Sequence, residues 1–203
     1  MTQTRKYELK RRAERQQETH RRIVEAAVEL HATVGPARTT IAAIAERAGV
    51  GRPTVYAHFP DERSLFSACS AHVRCTTPPP DQAPWGGIAD PQTRLRTALT
   101  ELYAYYRRSE SLLDNILRDS DVMPVVRETA KGRFAYLLEL RELLAQGWGV
   151  RGRRRARLCA ALGHALEFRT WQSLARRQGL DDEDAAELMV ALAQYAAAGR
   201  AAE

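Results

Sequence analysis

Apolar residues recur at helical spacing along nearly the whole chain. Ile23, Ala26, Ala27, Leu30 and Val34 form one stripe, which predicts an amphipathic helix over 19–34. Gly35-Pro36 ends it. A hydroxyl cap from Thr39-Thr40 then precedes Ile41, Ile44, Ala45 and Ala48, whose i, i+3, i+4, i+7 spacing predicts a second, short helix that Gly49 stops. Pro53 suits the first turn of a third helix, anchored by Val55 and Phe59 and only about two turns long. After Pro60, Asp61 is placed to cap a fourth helix carrying Leu65, Phe66 and Val73.

The stretch 76–91, with Pro78-Pro79-Pro80 and Gly86-Gly87, reads as a boundary. Beyond it the pattern predicts helices over 92–108, 110–118, 122–147, 153–178 and 182–198, broken at Ser109, Asp121, Gly147-Trp148-Gly149 and Gly179. No run alternates as a strand would. The expected organisation is all-α: a basic N-terminal arm over 1–17, a three-helix domain over 18–75, a linker over 76–91, and a helical bundle over 92–203.

At 203 residues, with 44% hydrophobic and 28% charged residues, the chain can bury a substantial core. Its charge is unevenly placed. Residues 1–75 hold 13 Lys/Arg against 8 Asp/Glu, whereas 76–203 hold 18 against 17, so the basic excess is N-terminal and points to an anionic partner there. No apolar run reaches the ~18 residues that cross a bilayer, and no signal-like stretch opens the chain, so a cytoplasmic protein is expected. Cys69, Cys75 and Cys159 make no paired framework, in keeping with a reducing compartment.

Two short helices joined by a three-residue turn containing Gly, behind a longer helix, form the helix-turn-helix arrangement. With Val55 and Phe59 turned to the core, the third helix presents Arg52, Thr54, Tyr56, Ala57 and His58 outward, groups that reach phosphates and base edges. The run Thr39-Thr40-Ile41-Ala42-Ala43-Ile44-Ala45-Glu46-Arg47-Ala48-Gly49-Val50-Gly51-Arg52-Pro53-Thr54-Val55-Tyr56-Ala57-His58-Phe59-Pro60 closely resembles the signature of the TetR family of transcriptional regulators. The resemblance implies a repressor released from a palindromic operator by a small-molecule effector. It also implies DNA contacts from Thr40, at a phosphate, and from Arg52, Pro53, Thr54, Tyr56 and His58. One departure follows Phe59: the family carries a small residue and then Lys, whereas this chain has Asp61-Glu62-Arg63, so Arg63 is the expected substitute. Arg5, Lys6, Lys10, Arg11, Arg12 and Arg15 make the arm either a further phosphate-binding segment or a solvated tail.

The resemblance further makes 18–75 an N-terminal three-helix helix-turn-helix DNA-binding domain and 92–203 a helical-bundle ligand-binding and dimerisation domain, with a dimer through the last two long helices. In support, Leu158 to Phe168 is apolar almost all round, and Ala185, Ala186, Leu188, Met189, Ala191, Leu192, Tyr195 and Ala196 offer small residues for close approach. Tyr103, Tyr106, Phe134, His164, Phe168 and Trp171 are the ligand-binding candidates, with plain core as the competing reading. Cys69, His72 and Cys75 could line up along one strip of a helix, but the set lacks a fourth ligand, so neither metal nor cofactor is expected. Asp181 to Asp184 reads as a helix cap, and the basic run Arg151 to Arg157 as a solvated loop, with an anionic contact as its alternative. No catalytic constellation appears. The competing class is a helical-bundle binding protein or enzyme without DNA binding, and a membrane-surface helix over 1–34 is opposed by Glu18, Glu25 and Glu29 in its basic face.

Overall fold

The computed structural model describes residues 2–198, with side chains from Tyr7 onward, and its described residues are helical, with no strand. The helices are α1 (Thr2–Thr33), α2 (Ile41–Ala48), α3 (Arg52–His58), α4 (Glu62–Thr76), α5 (Pro91–Arg108), α6 (Glu110–Asp119), α7 (Pro124–Thr129), α8 (Lys131–Leu144), α9 (Gly152–Leu166), α10 (Phe168–Gln172) and α11 (Asp182–Ala198). They fall into two compact units, 1–78 with 111–130, and 79–110 with 131–203. None is long and apolar enough to cross a membrane.

In the first unit Ile23, Val24, Ala26 and Ala27 of α1 pack with Ile44, Ala45 and Ala48 of α2, Val55 and Phe59 of the α3 segment, and Leu65 and Cys69 of α4. Small residues on α1 and α2 let these two helices approach closely. Where the sequence reading gathers 92–203 into one domain, packing gives 111–130 to this first unit. Two polar links bring α6 there. Asn115 Nδ2 donates to the carbonyls of His31 (3.0 Å) and Ala32 (2.9 Å), which are left without partners at the C-terminal end of α1. The Asp119 carboxylate accepts from the Ala37 amide at 2.9 Å and pairs with Arg118. Gly35 lies between them with φ +90, and a Cβ there would meet Arg118 and Asp119 within 2.7 Å, so both conformation and space require glycine.

The second unit is built from α5, α8, α9, α10 and α11, around Leu95, Leu99, Leu102, Leu140, Leu144, Leu158, Leu162 and Val190. The helix predicted as continuous over 153–178 is interrupted at Glu167, whose φ −73 and ψ 133 are extended. The cause lies elsewhere in the chain. Tyr103 Oη donates to the Ala165 carbonyl at 2.9 Å and Tyr106 Oη to that of Leu166 at 2.6 Å, and these two bonds satisfy the acceptors that the break releases. A π-helical turn follows at Ser173–Arg177. The helix predicted over 122–147 is likewise two, α7 and α8, parted at Ala130 where the chain passes from one unit to the other.

The first helix differs most from its prediction. Expected from Thr19, it runs from Thr2, so the arm is helical over 2–17. Every residue from Tyr7 to Glu18 is exposed, so an apolar stripe had no reason to mark this part. The arm side chains of Arg5 and Lys6 lie outside the described residues.

Candidate functional site

Local chemistry fixes the helix-turn-helix at both ends. Thr40 Oγ1 accepts from the Ala43 amide at 3.1 Å, capping α2. Gly49 closes that helix in the left-handed region at φ 64 and ψ 40, while the Val50 amide returns to the Ala45 carbonyl at 2.9 Å. Arg22 of α1 donates through Nη2 to the Ala48 carbonyl and, at 3.4 Å, to that of Gly49. A cation at the C-terminal end of α2 also meets the negative end of its dipole. Since a Cβ on Gly49 would come within 2.7 Å of Arg22 Nη2, the turn and the arginine depend on each other. Sequence reading did not find this role of Arg22. Its only sequence signal was a basic residue on the helix that precedes the turn.

Val55 and Phe59 are buried one turn apart and hold α3 by one side. Arg52, Pro53, Tyr56 and Ala57 are exposed on the other, with Tyr56 at 55% exposure, while Thr54 and His58 are half-buried. His58 packs against α1, its ring centroid 6.0 Å from that of His20, which in turn lies 4.7 Å from Phe59. Burial, then the neighbouring His58, lowers the His20 pKa below the usual imidazole value. Asp61 caps α4 by accepting from the Ser64 amide at 2.7 Å. The next turn brings Arg63 to Glu128 of α7 at 2.6 Å, with the arginine side chain still mostly in solvent. Arg63 therefore has an intramolecular carboxylate that a phosphate would have to displace.

In the second unit four of the ligand candidates come together. Tyr106 packs edge-on to Phe168 at 5.5 Å and lies 6.0 Å from Trp171, and Tyr103 adjoins Tyr106 at 6.2 Å. All four are fully buried, and three have their polar atoms bonded: both tyrosine hydroxyls as above, and Trp171 Nε1 to Asp182 at 2.8 Å. Phe134 is instead on the surface, and His164 is exposed with Nδ1 3.3 Å from Thr170 Oγ1. None of the six lines the open groove of about 610 Å³ between the Ala83–Gly87 turn and α8, which is bounded by Gln82, Ala83, Gly86, Leu138, Leu143 and Gln146 among others. Cys69 is buried and its thiol is pushed up to about 12 by that burial, whereas Cys75 is exposed. Among the described residues no three His, Cys, Asp or Glu side chains gather as a metal would require.

A capped helix, a left-handed glycine turn and a short helix held by one face with its other face bare define a helix-turn-helix protein. Residues 23–69 match the family model for bacterial regulatory proteins of the tetR family. Uncharacterized HTH-type transcriptional regulators of Mycobacterium tuberculosis and Mycobacterium bovis are 46% identical over 57 residues, 28% of this chain and 30% of theirs. The chain thus matches less than a third of the length of these curated relatives. By fold, the likeness extends to both units. A TetR-like transcriptional regulator from Rhodococcus sp. RHA1 superposes with TM-score 0.65 at 22% identity, over 90% of this chain and 97% of that one. A transcriptional regulator from Saccharomonospora viridis in complex with choline gives TM-score 0.60 at 23% identity, over 88% and 97%.

Proposed function

We propose that this protein is a cytoplasmic, sequence-specific DNA-binding transcriptional regulator without enzymatic activity, a homodimeric repressor released from a palindromic operator by a small-molecule effector. The observation that carries the reading is the bare face of α3, where Arg52, Pro53 and Tyr56 stand in solvent on a helix too short to persist unless packing holds it. Placed in the major groove, that face offers a guanidinium for a guanine edge and an aromatic ring for a thymine methyl or the sugar-phosphate wall, with Thr40 at a backbone phosphate. Selection from a random duplex library tests it, and the expected product is a palindrome bound more weakly as salt rises. Tyr56→Ala should weaken binding to that palindrome at least about tenfold at an unchanged melting temperature, since the ring supports nothing in the core. A shift confined to melting temperature would remove Tyr56 from the interface.

The dimer reading is supported by the outer face of α11 and α9. Leu188, Leu192 and Tyr195 stand on one stripe of α11 at 47%, 38% and 59% exposure, and Arg157 of α9 lies over the Tyr195 ring at 5.7 Å. Ala156 and Ala160 on the exposed side of α9 leave room for a helix from a second copy. Two copies paired in this way present two α3 helices, as a palindrome requires. Leu192→Asp places two carboxylates in that interface and is expected to raise the dimer dissociation constant at least about a hundredfold in analytical ultracentrifugation. An unchanged constant would move the interface elsewhere.

Effector control is supported by the complex of the Saccharomonospora viridis regulator, of the same fold, with choline. A ligand shifts the protein between states only by as much as its affinities for them differ. The buried cluster of Tyr103, Tyr106, Phe168 and Trp171 is filled in this structure, so binding there requires these rings to rearrange.

A further inference from the structure

From Tyr7 to Glu18, α1 is a helix with nothing packed against it among the described residues. From Tyr7 to Glu18 every residue is exposed, a length of about 18 Å at 1.5 Å per residue. A helix this short is marginal in water by itself, so its order comes from being continuous with the packed half of α1.

Its position is set by His20, whose ring touches Phe59 and faces His58 at the C-terminal end of α3. The chain N-terminal to His20 therefore leaves the domain beside the helix assigned to the major groove. Residues three and four apart share a helix face, so the side on which Ile23 and Ala27 meet the core continues outward through Gln16, Ala13, Arg12 and Leu9, with Arg15 one turn from Arg12. The charges on this extension divide by side. Lys10 pairs with Glu14 at 3.9 Å and Arg11 lies over the Tyr7 ring at 5.7 Å, whereas Arg12 and Arg15 have no ion pair or hydrogen bond among the described residues.

We propose that this extension is a second DNA-binding element, in which Arg12 and Arg15 hold phosphates flanking the half-site read by α3 and Gln16 lies between them and the recognition helix. The inference rests on α3 being that helix. Two exposed guanidinia on the extension of α1 that leaves the domain beside α3 match a run of phosphates in charge and direction. A bilayer would require a broad apolar face, and Leu9 with Ala13 does not make one.

The test uses the full chain, wild type and Arg12→Gln/Arg15→Gln, on a selected palindrome prepared in two lengths, the site alone and the site extended by about one helical turn at each end. Circular dichroism establishes that the variant folds. Wild-type affinity is expected to rise at least about tenfold with the extended duplex, and the variant to lose that gain. The variant's log K against log salt should flatten by about two per protomer, at about 0.9 per phosphate contact, with the preferred site sequence unchanged. Equal salt slopes and equal length dependence for the two proteins would overturn this proposal while leaving the α3 reading intact. Failure of folded wild-type protein to bind either duplex specifically would overturn the α3 reading and this one with it.

Discussion

Replacing Trp171 by Ala is expected to lower the unfolding free energy of the second unit by about 4 kcal/mol. The indole is fully buried and touches Phe168 at 5.5 Å and Tyr106 at 6.0 Å, while the guanidinia of Arg176 and Arg107 lie over it at 5.4 and 5.9 Å. Its Nε1 donates to Asp182, which also takes both hydrogen bonds of Arg107 at 2.6 and 2.7 Å. Those arginine bonds hold the Asp182 carboxyl below the usual carboxylate range, so the acceptor stays charged when the indole is removed. Truncation therefore opens a cavity and strips a donor from a partly buried carboxylate. Trp171→Phe keeps most of the ring and loses the donor, and should cost about 1 to 2 kcal/mol. Urea denaturation followed by far-ultraviolet circular dichroism gives both numbers. A loss under about 1 kcal/mol for Trp171→Ala would mean that the cluster collapses to fill the space, and that the aromatic packing is not what holds α10 in place.

The first unit is expected to weaken as the medium becomes mildly acidic, because of His31. Its imidazole is buried at the C-terminal end of α1, stacked on Phe66 at 4.9 Å with the planes 6° apart. Burial pushes its pKa down to about 4, against the smaller opposing pull of the Asp119 carboxylate. In the unfolded chain the same group titrates near 6.5. Between these values the unfolded state takes up a proton that the folded state refuses. The stability present in full above pH ~6.5 is therefore lost as pH falls toward 4, by about 2 kcal/mol between pH 7 and pH 4.5. His31→Leu keeps the apolar contact with Phe66 and has no proton to take up, so its urea midpoint should vary less over the same range. Parallel pH profiles for the two proteins would show that other groups carry the dependence.

The parts of the molecule legible in sequence are those whose signals are local. Thr40, Gly49 and Asp61 act on atoms three or four residues away, and each serves as a cap or stop at the position its residue type suggests. Val55 and Phe59 needed only helical periodicity to be assigned to the core. Features set by distant partners were hidden. The break at Glu167 depends on hydroxyls of Tyr103 and Tyr106, some 60 residues earlier, and the glycine turn depends on Arg22, 26 residues before Ala48. Periodicity also shows that α6 has an apolar face without showing which helix covers it, so the packing of 111–130 with the first unit was not legible. Among the ligand candidates, sequence could gather the aromatics but could not distinguish a cavity wall from a filled core, a difference of only a few ångströms in packing.

The placement of 111–130 has a practical meaning for any attempt to isolate the helix-turn-helix half. A polypeptide ending at Pro78 would match the part that family comparison recognises, 23–69, and would still lack α6 and α7. The carbonyls of His31 and Ala32 would lose Asn115, the Ala37 amide would lose Asp119, and the α4 surface that α7 covers would face water. The helix-turn-helix unit is thus contiguous in space and discontinuous in sequence. Its folding awaits chain that emerges from the ribosome some fifty residues after the last residue of α4.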